Sequence, residues 1–162
     1  MKPYYDADGI TIYHGDCREV LPSLSGDVVV TDPPYGINYT GGPINLGARV
    51  TAPIHGDDSL DLARWLLSQP GPLVLFGAHE FPHLLTPGGR WFCWDKRLSP
   101  EADRMVGTPF ELAWSNVHGA NVMLRCLHGG VVNANGAGMK RVHPTEKPVP
   151  MLGNCYRTSA PD

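Results

Sequence analysis

Apolar residues along this chain fall into short runs separated by turn residues, not into long continuous blocks. Runs rich in β-branched and aromatic residues predict strands at 10–14, 28–31, 73–76, 90–94, 110–114 and 121–127. Val28-Val29-Val30 and Leu73-Val74-Leu75-Phe76 are apolar at every position, the pattern of strands covered on both faces in a mainly parallel sheet, so helices are expected on either side. The clearest helix is 59–68: Leu60, Leu62, Trp65 and Leu66 form one stripe, Asp58 or Ser59 can cap its start, and Pro70-Gly71 stops it. Shorter helices are expected at 18–24, 79–85 and 101–106, and Pro148 can open one more. The alternation is that of the α/β class. Segments 36–57 and 128–142 fit neither period, and each reaches or exceeds the ~12–15 residues beyond which a connection is usually a functional loop or disordered. They are expected to be flexible loops within a single domain spanning 1–162.

Composition narrows the class without naming a function. The 162 residues suffice for one domain with its own core. Cys17, Cys93, Cys126 and Cys155 form no C-x-x-C pair, which argues against a disulfide framework or a zinc site and for reduced thiols. Neither a signal-like h-region nor a run of ~20 apolar residues occurs, so a soluble cytoplasmic protein with no membrane partner is expected. The net charge of −3 divides unevenly: residues 1–80 carry four Lys/Arg against ten Asp/Glu (−6), and residues 81–162 carry nine against six (+3). In the basic half Lys96, Arg97, Arg104, Arg125, Lys140 and Arg141 can neutralise phosphates if the fold gathers them, or remain scattered solvated charges. The histidines form no H-E-x-x-H or comparable cluster, so no metal is expected. The four tryptophans read as core, with Trp94, beside Asp95-Lys96-Arg97, the one candidate for a substrate-facing position.

The most informative stretch is Val28-Val29-Val30-Thr31-Asp32-Pro33-Pro34-Tyr35-Gly36, a buried strand running into an acid, two prolines and an aromatic ring. Ligands of parallel sheets bind beyond the carboxyl ends of strands, which is where this turn falls. The prolines force an extended backbone and remove two N–H groups, leaving the Asp32 carboxylate and the Pro33 carbonyl as pure acceptors beside the Tyr35 ring. Such a wall suits the exocyclic amino group of a nucleobase. Its nitrogen is a poor nucleophile, and acceptors stabilise the positive charge it gains when it attacks a methyl group. A base inside a duplex must first be flipped out and held against an aromatic face. The alternative is an ordinary strand-ending turn. Chance would produce Asp-Pro-Pro-Tyr only about a few times per million positions, which favours the functional reading.

Asp32-Pro33-Pro34-Tyr35 resembles the signature Asp/Asn/Ser-Pro-Pro-Tyr/Phe/Trp that follows the fourth strand of the Rossmann-like sheet in the amino-methyltransferases of DNA. In the permuted beta class of that family a strand, Gly-Asp-Cys or Gly-Asp-Ser and a short helix lie just upstream, as Ile12-Tyr13-His14-Gly15-Asp16-Cys17-Arg18 does here. Trp91-Phe92-Cys93-Trp94-Asp95-Lys96-Arg97 and Phe110-Glu111-Leu112-Ala113-Trp114 look like the family's next strands. His143-Pro144-Thr145-Glu146-Lys147-Pro148 resembles the His-Pro-Thr-Gln/Glu-Lys-Pro motif before the cofactor-binding helix. The resemblance implies S-adenosylmethionine as cofactor and double-stranded DNA as partner. It places Asp32, Pro33, Pro34 and Tyr35 at the reaction and Asp16, Cys17, Thr145, Lys147 and Pro148 at the cofactor, Asp16 by its adenosine portion. Lys96, Arg97, Lys140 and Arg141 are then candidates for the DNA face. An Asp at the first motif position favours adenine N6 over cytosine N4 and over RNA or protein amino groups. A non-catalytic remnant, or a subunit that binds only DNA or a partner, is the remaining class.

One departure shapes these expectations: the family's Phe-x-Gly-x-Gly loop occurs nowhere in these residues. An incomplete Rossmann-like sheet is therefore expected, lacking the central first and second strands. The 28–31 strand would present an unpaired apolar edge open to self-association. The chain by itself is expected to bind S-adenosylmethionine weakly or not at all and to transfer no methyl group.

Overall fold

The computed structural model describes residues 1–39, 54–97, 108–126, 128, 129, 132, 133 and 147–161. The chain opens with a hairpin, β1 (Tyr5–Ala7) against β2 (Ile10–Ile12). Asp8 and Gly9, with φ of 55° and 74°, supply the two left-handed residues that a tight two-residue hairpin turn needs. The strand expected at 10–14 is thus shorter and pairs with 5–7, outside the main sheet. The helix expected at 18–24 is one turn, α1 (Cys17–Val20), capped by Asp16 and followed by a 3-10 turn at Leu21–Ser23. Pro22 has no N–H with which to continue it.

The main sheet contains β3 (Val29–Thr31), β4 (Leu73–Phe76), β5 (Arg90–Asp95), β6 (Phe110–Ser115) and β7 (Val122–Arg125), in the order β3-β4-β6-β5-β7. β3 runs parallel to β4 and β5 to β7, but β6 is antiparallel to both β4 and β5. The sheet is therefore mixed, with β3, β4, β5 and β7 in one direction and β6 against them, where a mainly parallel sheet is expected. The physical reason is that covering a strand on both faces requires apolar side chains in either direction, so β6 reads the same reversed. β3 forms an edge, with β4 its neighbour among the described residues. A further short pair, β8 (His128–Gly129) and β9 (Val132–Asn133), lies within the 128–142 segment.

Side-chain alternation on β4 divides the core. Val74 and Phe76 join Phe92, Trp94, Leu124, Met151 and Cys155 on the face covered by α3 (Val149–Ser159). Leu73 and Leu75 join Ala63, Leu66, Phe81 and Trp114 on the face covered by α2 (Asp61–Ser68). Trp94 is 2% exposed and donates its indole N–H to the Cys126 carbonyl at 2.8 Å, so it is a core residue and not substrate-facing. α2 starts two residues later than expected, and Ser59 Oγ accepts the Asp61 N–H. The helix expected at 79–85 is two 3-10 turns, Ala78–Glu80 and Pro82–Leu84, because Pro82 interrupts it. Pro148 stands at the N-cap of α3, as expected of a residue that opens a helix. The helix expected at 101–106, and most of the loops at 36–57 and 128–142, lie outside the described residues. Among the described residues no helix is long and apolar enough to cross a membrane.

Candidate functional site

Because four strands share one direction and β6 opposes them, the carboxyl ends of β3, β4 and β5 and the amino end of β6 meet at one edge of the sheet. Asp32 follows β3, Gly77 follows β4, Lys96 follows β5, and Glu111 is the second residue of β6. Residues widely separated in sequence therefore surround the Asp32-Pro33-Pro34-Tyr35 turn.

Tyr35 folds back on that turn, its hydroxyl donating to Asp32 Oδ1 at 2.6 Å. Its ring packs directly on Gly77: a Cβ added there would stand 2.0 Å from the ring. Gly77 has φ of 69°, so both the close approach and the backbone call for glycine. Burial, together with the charge and hydrogen bond of Asp32, pushes the Tyr35 phenol far up, and it stays a protonated donor.

The backbone beyond Tyr35 is held by a residue that sequence reasoning missed. Asp57, 3% exposed, accepts the Tyr35 and Gly36 N–H groups on Oδ1 at 2.8 and 2.9 Å and the Tyr39 N–H on Oδ2 at 2.7 Å, while its own carbonyl accepts from Asn38. Burial acts to raise the Asp57 carboxyl, but these N–H groups outweigh it and hold the group below the usual carboxylate range. No local pattern marks a carboxylate whose partners lie 18–22 residues upstream.

Asp32 has a second partner, Lys147, whose ammonium lies 2.7 Å from Oδ2 and whose side chain is 11% exposed. The same ammonium is 3.4 Å from Glu111 Oε2 and 5.4 Å from the centre of the Phe76 ring. Lys96 donates to Glu111 Oε1 at 3.0 Å and to Thr108 Oγ1 at 3.3 Å, and lies over the Trp94 ring. Burial works to raise the Glu111 carboxyl, but Lys147 and Lys96 prevail and lower it. Two acids and two ammonium groups thus form one connected, largely covered cluster.

Next to the turn, Gly15, Asp16, Cys17 and Arg18 share a cleft of about 500 Å³ with Pro34, His55, Gly56, Ser59, Asp61 and Leu62. A smaller hollow of about 380 Å³ adjoins it at His55 and Gly56. Asp16 accepts the Arg18 backbone N–H at 2.9 Å, and the Arg18 guanidinium is the main cause that lowers its carboxyl to about 2. The structure therefore brings Asp16 and Cys17 to one cleft with Pro34, and Lys147 to Asp32 itself. Pro148 immediately precedes α3. Of the DNA-face candidates, Lys96 joins the Glu111 cluster and Arg97 donates to Asp95 at 2.8 Å. Lys140, Arg141 and Thr145 lie outside the described residues.

No family model matches the chain, and no solved structure does. Over 39 residues it is 46% identical to the type II methyltransferase M.ScaI of Streptomyces caespitosus, a stretch that makes up 22% of this chain and 13% of that protein. The chain is thus similar, over that short stretch, to a methyltransferase.

Proposed function

We propose that this chain carries the acceptor part of an S-adenosylmethionine-dependent DNA methyltransferase site, which receives the exocyclic amino group of a flipped-out base, adenine N6. The observation that carries this reading is the setting of Asp32. One carboxylate oxygen is fixed by the Tyr35 hydroxyl, and the other rests on an ammonium nitrogen, at the end of a strand whose next two residues have no N–H. A group that already holds a cationic nitrogen is suited to an amino nitrogen that becomes cationic. The stabilisation is greater in the transition state than in the ground state, which accelerates the reaction. The Pro33 carbonyl is the second acceptor, and the Tyr35 ring, fixed on Gly77, borders the place for the base.

The residues of the cleft fit the cofactor. S-adenosylmethionine has ribose hydroxyls and a net positive charge, and the cleft offers the Asp16 and Asp61 carboxylates and the Ser59 hydroxyl in a volume typical of small-molecule sites. When bound, the cofactor supplies the electrophilic methyl group. Asp16 and Cys17 would border its adenosine portion, and Pro34 of the Asp32 turn lines the same cleft. Lys96, Arg97, Lys140 and Arg141 are the proposed phosphate contacts. For Lys96 and Arg97 a phosphate would compete with Glu111 and Asp95. The short likeness to a type II methyltransferase supports methyl transfer in general, and the Asp at position 32 supports adenine.

The test compares two oligonucleotide duplexes that differ at one unpaired position, adenine in one and purine, which lacks the 6-amino group, in the other. The chain is expected to bind the adenine duplex more tightly and Asp32→Ala to remove that preference. Equal affinities in the unaltered chain would sink the reading. With the family's Phe-x-Gly-x-Gly segment joined on, labelled methyl transfer should yield N6-methyladenine, and N4-methylcytosine alone would reassign the base.

A further inference from the structure

Asp32 is not free in this structure. Its Oδ2 holds the Lys147 ammonium at 2.7 Å, across 115 residues of sequence, in the place where an acceptor reading puts a substrate nitrogen. A second carboxylate waits beside that ammonium, with Glu111 Oε2 at 3.4 Å. Lys96 and Thr108 anchor the other side of this group, through Lys96 Nζ on Glu111 Oε1 at 3.0 Å and on Thr108 Oγ1 at 3.3 Å. The Phe76 ring, 5.4 Å from Nζ, offers a cation a favourable face beside both carboxylates. The ammonium can therefore move by about an ångström from one carboxylate to the other without returning to water.

We propose that Lys147 is an exchangeable plug on Asp32, and that Glu111 is the positioning residue that receives its ammonium when a base amino group takes its place. The inference rests on the acceptor reading and deepens it by assigning the contact that regulates entry. With the plug seated, Asp32 is neutralised and closed. With the plug on Glu111, Asp32 keeps the Tyr35 hydroxyl as its partner among the described residues, and its negative charge has lost the ammonium in a partly covered setting. That state is unfavourable until a nitrogen that can become positive arrives. The open Asp32 thus selects for an amino-bearing base over a base of the same shape without one, and the seated plug, which only the amino-bearing base has to displace, lessens that preference. Competition from the seated plug lowers the apparent affinity by the fraction of open molecules.

The experiment uses the full chain and the same adenine and purine duplexes, and reads the ratio of the two dissociation constants by fluorescence anisotropy at one salt concentration. Loss of a positive charge weakens both duplexes alike and cancels in the ratio. Lys147→Met opens Asp32 and should raise the preference for adenine several-fold, toward about tenfold if the open form is one molecule in ten. Lys147→Arg keeps a cation on Asp32 and should retain the preference of the unaltered chain. Glu111→Gln deprives the ammonium of its second carboxylate and should bring the ratio toward one. A merely structural role for Lys147 or Glu111 would change stability and both affinities together, leaving the ratio in place. An unchanged or lower ratio in folded Lys147→Met, or an unchanged ratio in Glu111→Gln, overturns the plug. Should Lys147→Met not fold, Lys147→Arg and Glu111→Gln still decide. If the unaltered chain prefers adenine and Asp32→Ala abolishes this while the Lys147 and Glu111 variants leave the ratio unmoved, the plug alone fails. If neither the unaltered chain nor any variant distinguishes the duplexes, the acceptor reading fails and takes the plug with it.

Discussion

Asp57 and Asp16 both lie near the Asp32-to-Tyr35 turn, both with lowered carboxyl groups, and they are held in different ways. Asp57 is buried and directs its oxygens to backbone N–H groups of Tyr35, Gly36 and Tyr39. Asp16 has a side chain 38% exposed, caps one turn of helix, and has as its main partner the exposed guanidinium of Arg18. A buried carboxylate bound to backbone donors acts as scaffold, because removing it strands donors that water reaches poorly. An exposed one whose partner is a neighbouring side chain can trade that partner for a ligand. The turn that carries Asp32 is thus held rigidly by Asp57 and bordered by an adaptable group in Asp16.

The contrast is tested most strongly at Asp57 itself. Asp57→Ala leaves three N–H groups without their acceptor, at about 1–3 kcal/mol for each that stays dry, so a loss of roughly 3 kcal/mol is expected in urea unfolding. The adenine preference should vanish with it, since Tyr35 and Asp32 lose their common frame. Asp57→Asn retains one acceptor oxygen and should cost about half as much. A loss below about 0.5 kcal/mol for Asp57→Ala, the range of ordinary surface changes, would remove Asp57 from the scaffold.

Gly77→Ala probes the hold on Tyr35 at its ring, where Asp57 holds its backbone. The new methyl would meet the Tyr35 ring, and the left-handed backbone adds about 1–2 kcal/mol of its own, so a loss near 2 kcal/mol is expected by the same urea titration. The ring must move, and the Tyr35 hydroxyl with it. A crystal structure of the variant with the 2.6 Å contact to Asp32 intact would show that Gly77 does not set the ring.

What was legible in the sequence follows from the range of the interactions involved. Val28-Val29-Val30 and Leu73-Val74-Leu75-Phe76 marked strands because that property is local, and Asp32 fell at a strand end for the same reason; β4 is buried at every position, whereas β3, at the sheet edge, is half-buried. Pro22 and Pro82 were equally local, and giving them their full weight would have cut the helices at 18–24 and 79–85 into the short turns observed. Asp8-Gly9 was a readable hairpin signal. The direction of β6 was not legible, because an apolar strand packs either way. Nor were the partners of Asp57 and Lys147, whose hydrogen bonds join segments 18–22 and 115 residues apart. The charged cluster at Glu111 exists only once β3, β4, β5 and β6 end together.

Acid should weaken the rigid hold gradually. The Asp57 and Glu111 carboxyls are lowered in the folded chain, so the unfolded chain binds protons first as pH falls. Their contribution is complete above the unfolded values of about 3.9 and 4.3 and is lost as pH falls through the lower folded values. Urea midpoints measured from pH 7 down to pH 3 should hold steady to about pH 5 and then drop. Asp57→Asn starts lower and should show a shallower fall. Parallel curves for the two proteins would mean that Asp57 ionisation contributes nothing.

The smallest expected change in stability, and the one that separates the two acids most sharply, comes from Arg18→Ala. The Asp16 carboxyl is lowered to about 2 chiefly by the Arg18 side chain, with the Arg18 backbone N–H second and a smaller opposing effect of burial. Deleting the guanidinium leaves the backbone N–H of α1 in place, so the cap survives and the Asp16 carboxyl should titrate closer to the ordinary value of about 3.9. Exposed ion pairs contribute little and are screened by salt, so the urea midpoint should not move measurably. Carbon-detected NMR of the aspartate carboxyls follows the titration directly. A titration that stays near 2 in Arg18→Ala would assign the shift to the helix N-terminus and tie Asp16 to the backbone no less firmly than Asp57. A midpoint that falls as far as in Asp57→Ala would do the same by stability. If instead the carboxyl moves and the fold does not, Asp16 is a group whose partner can leave without consequence for the chain. That is the property a carboxylate needs if it is to exchange an arginine for the hydroxyls of a ribose.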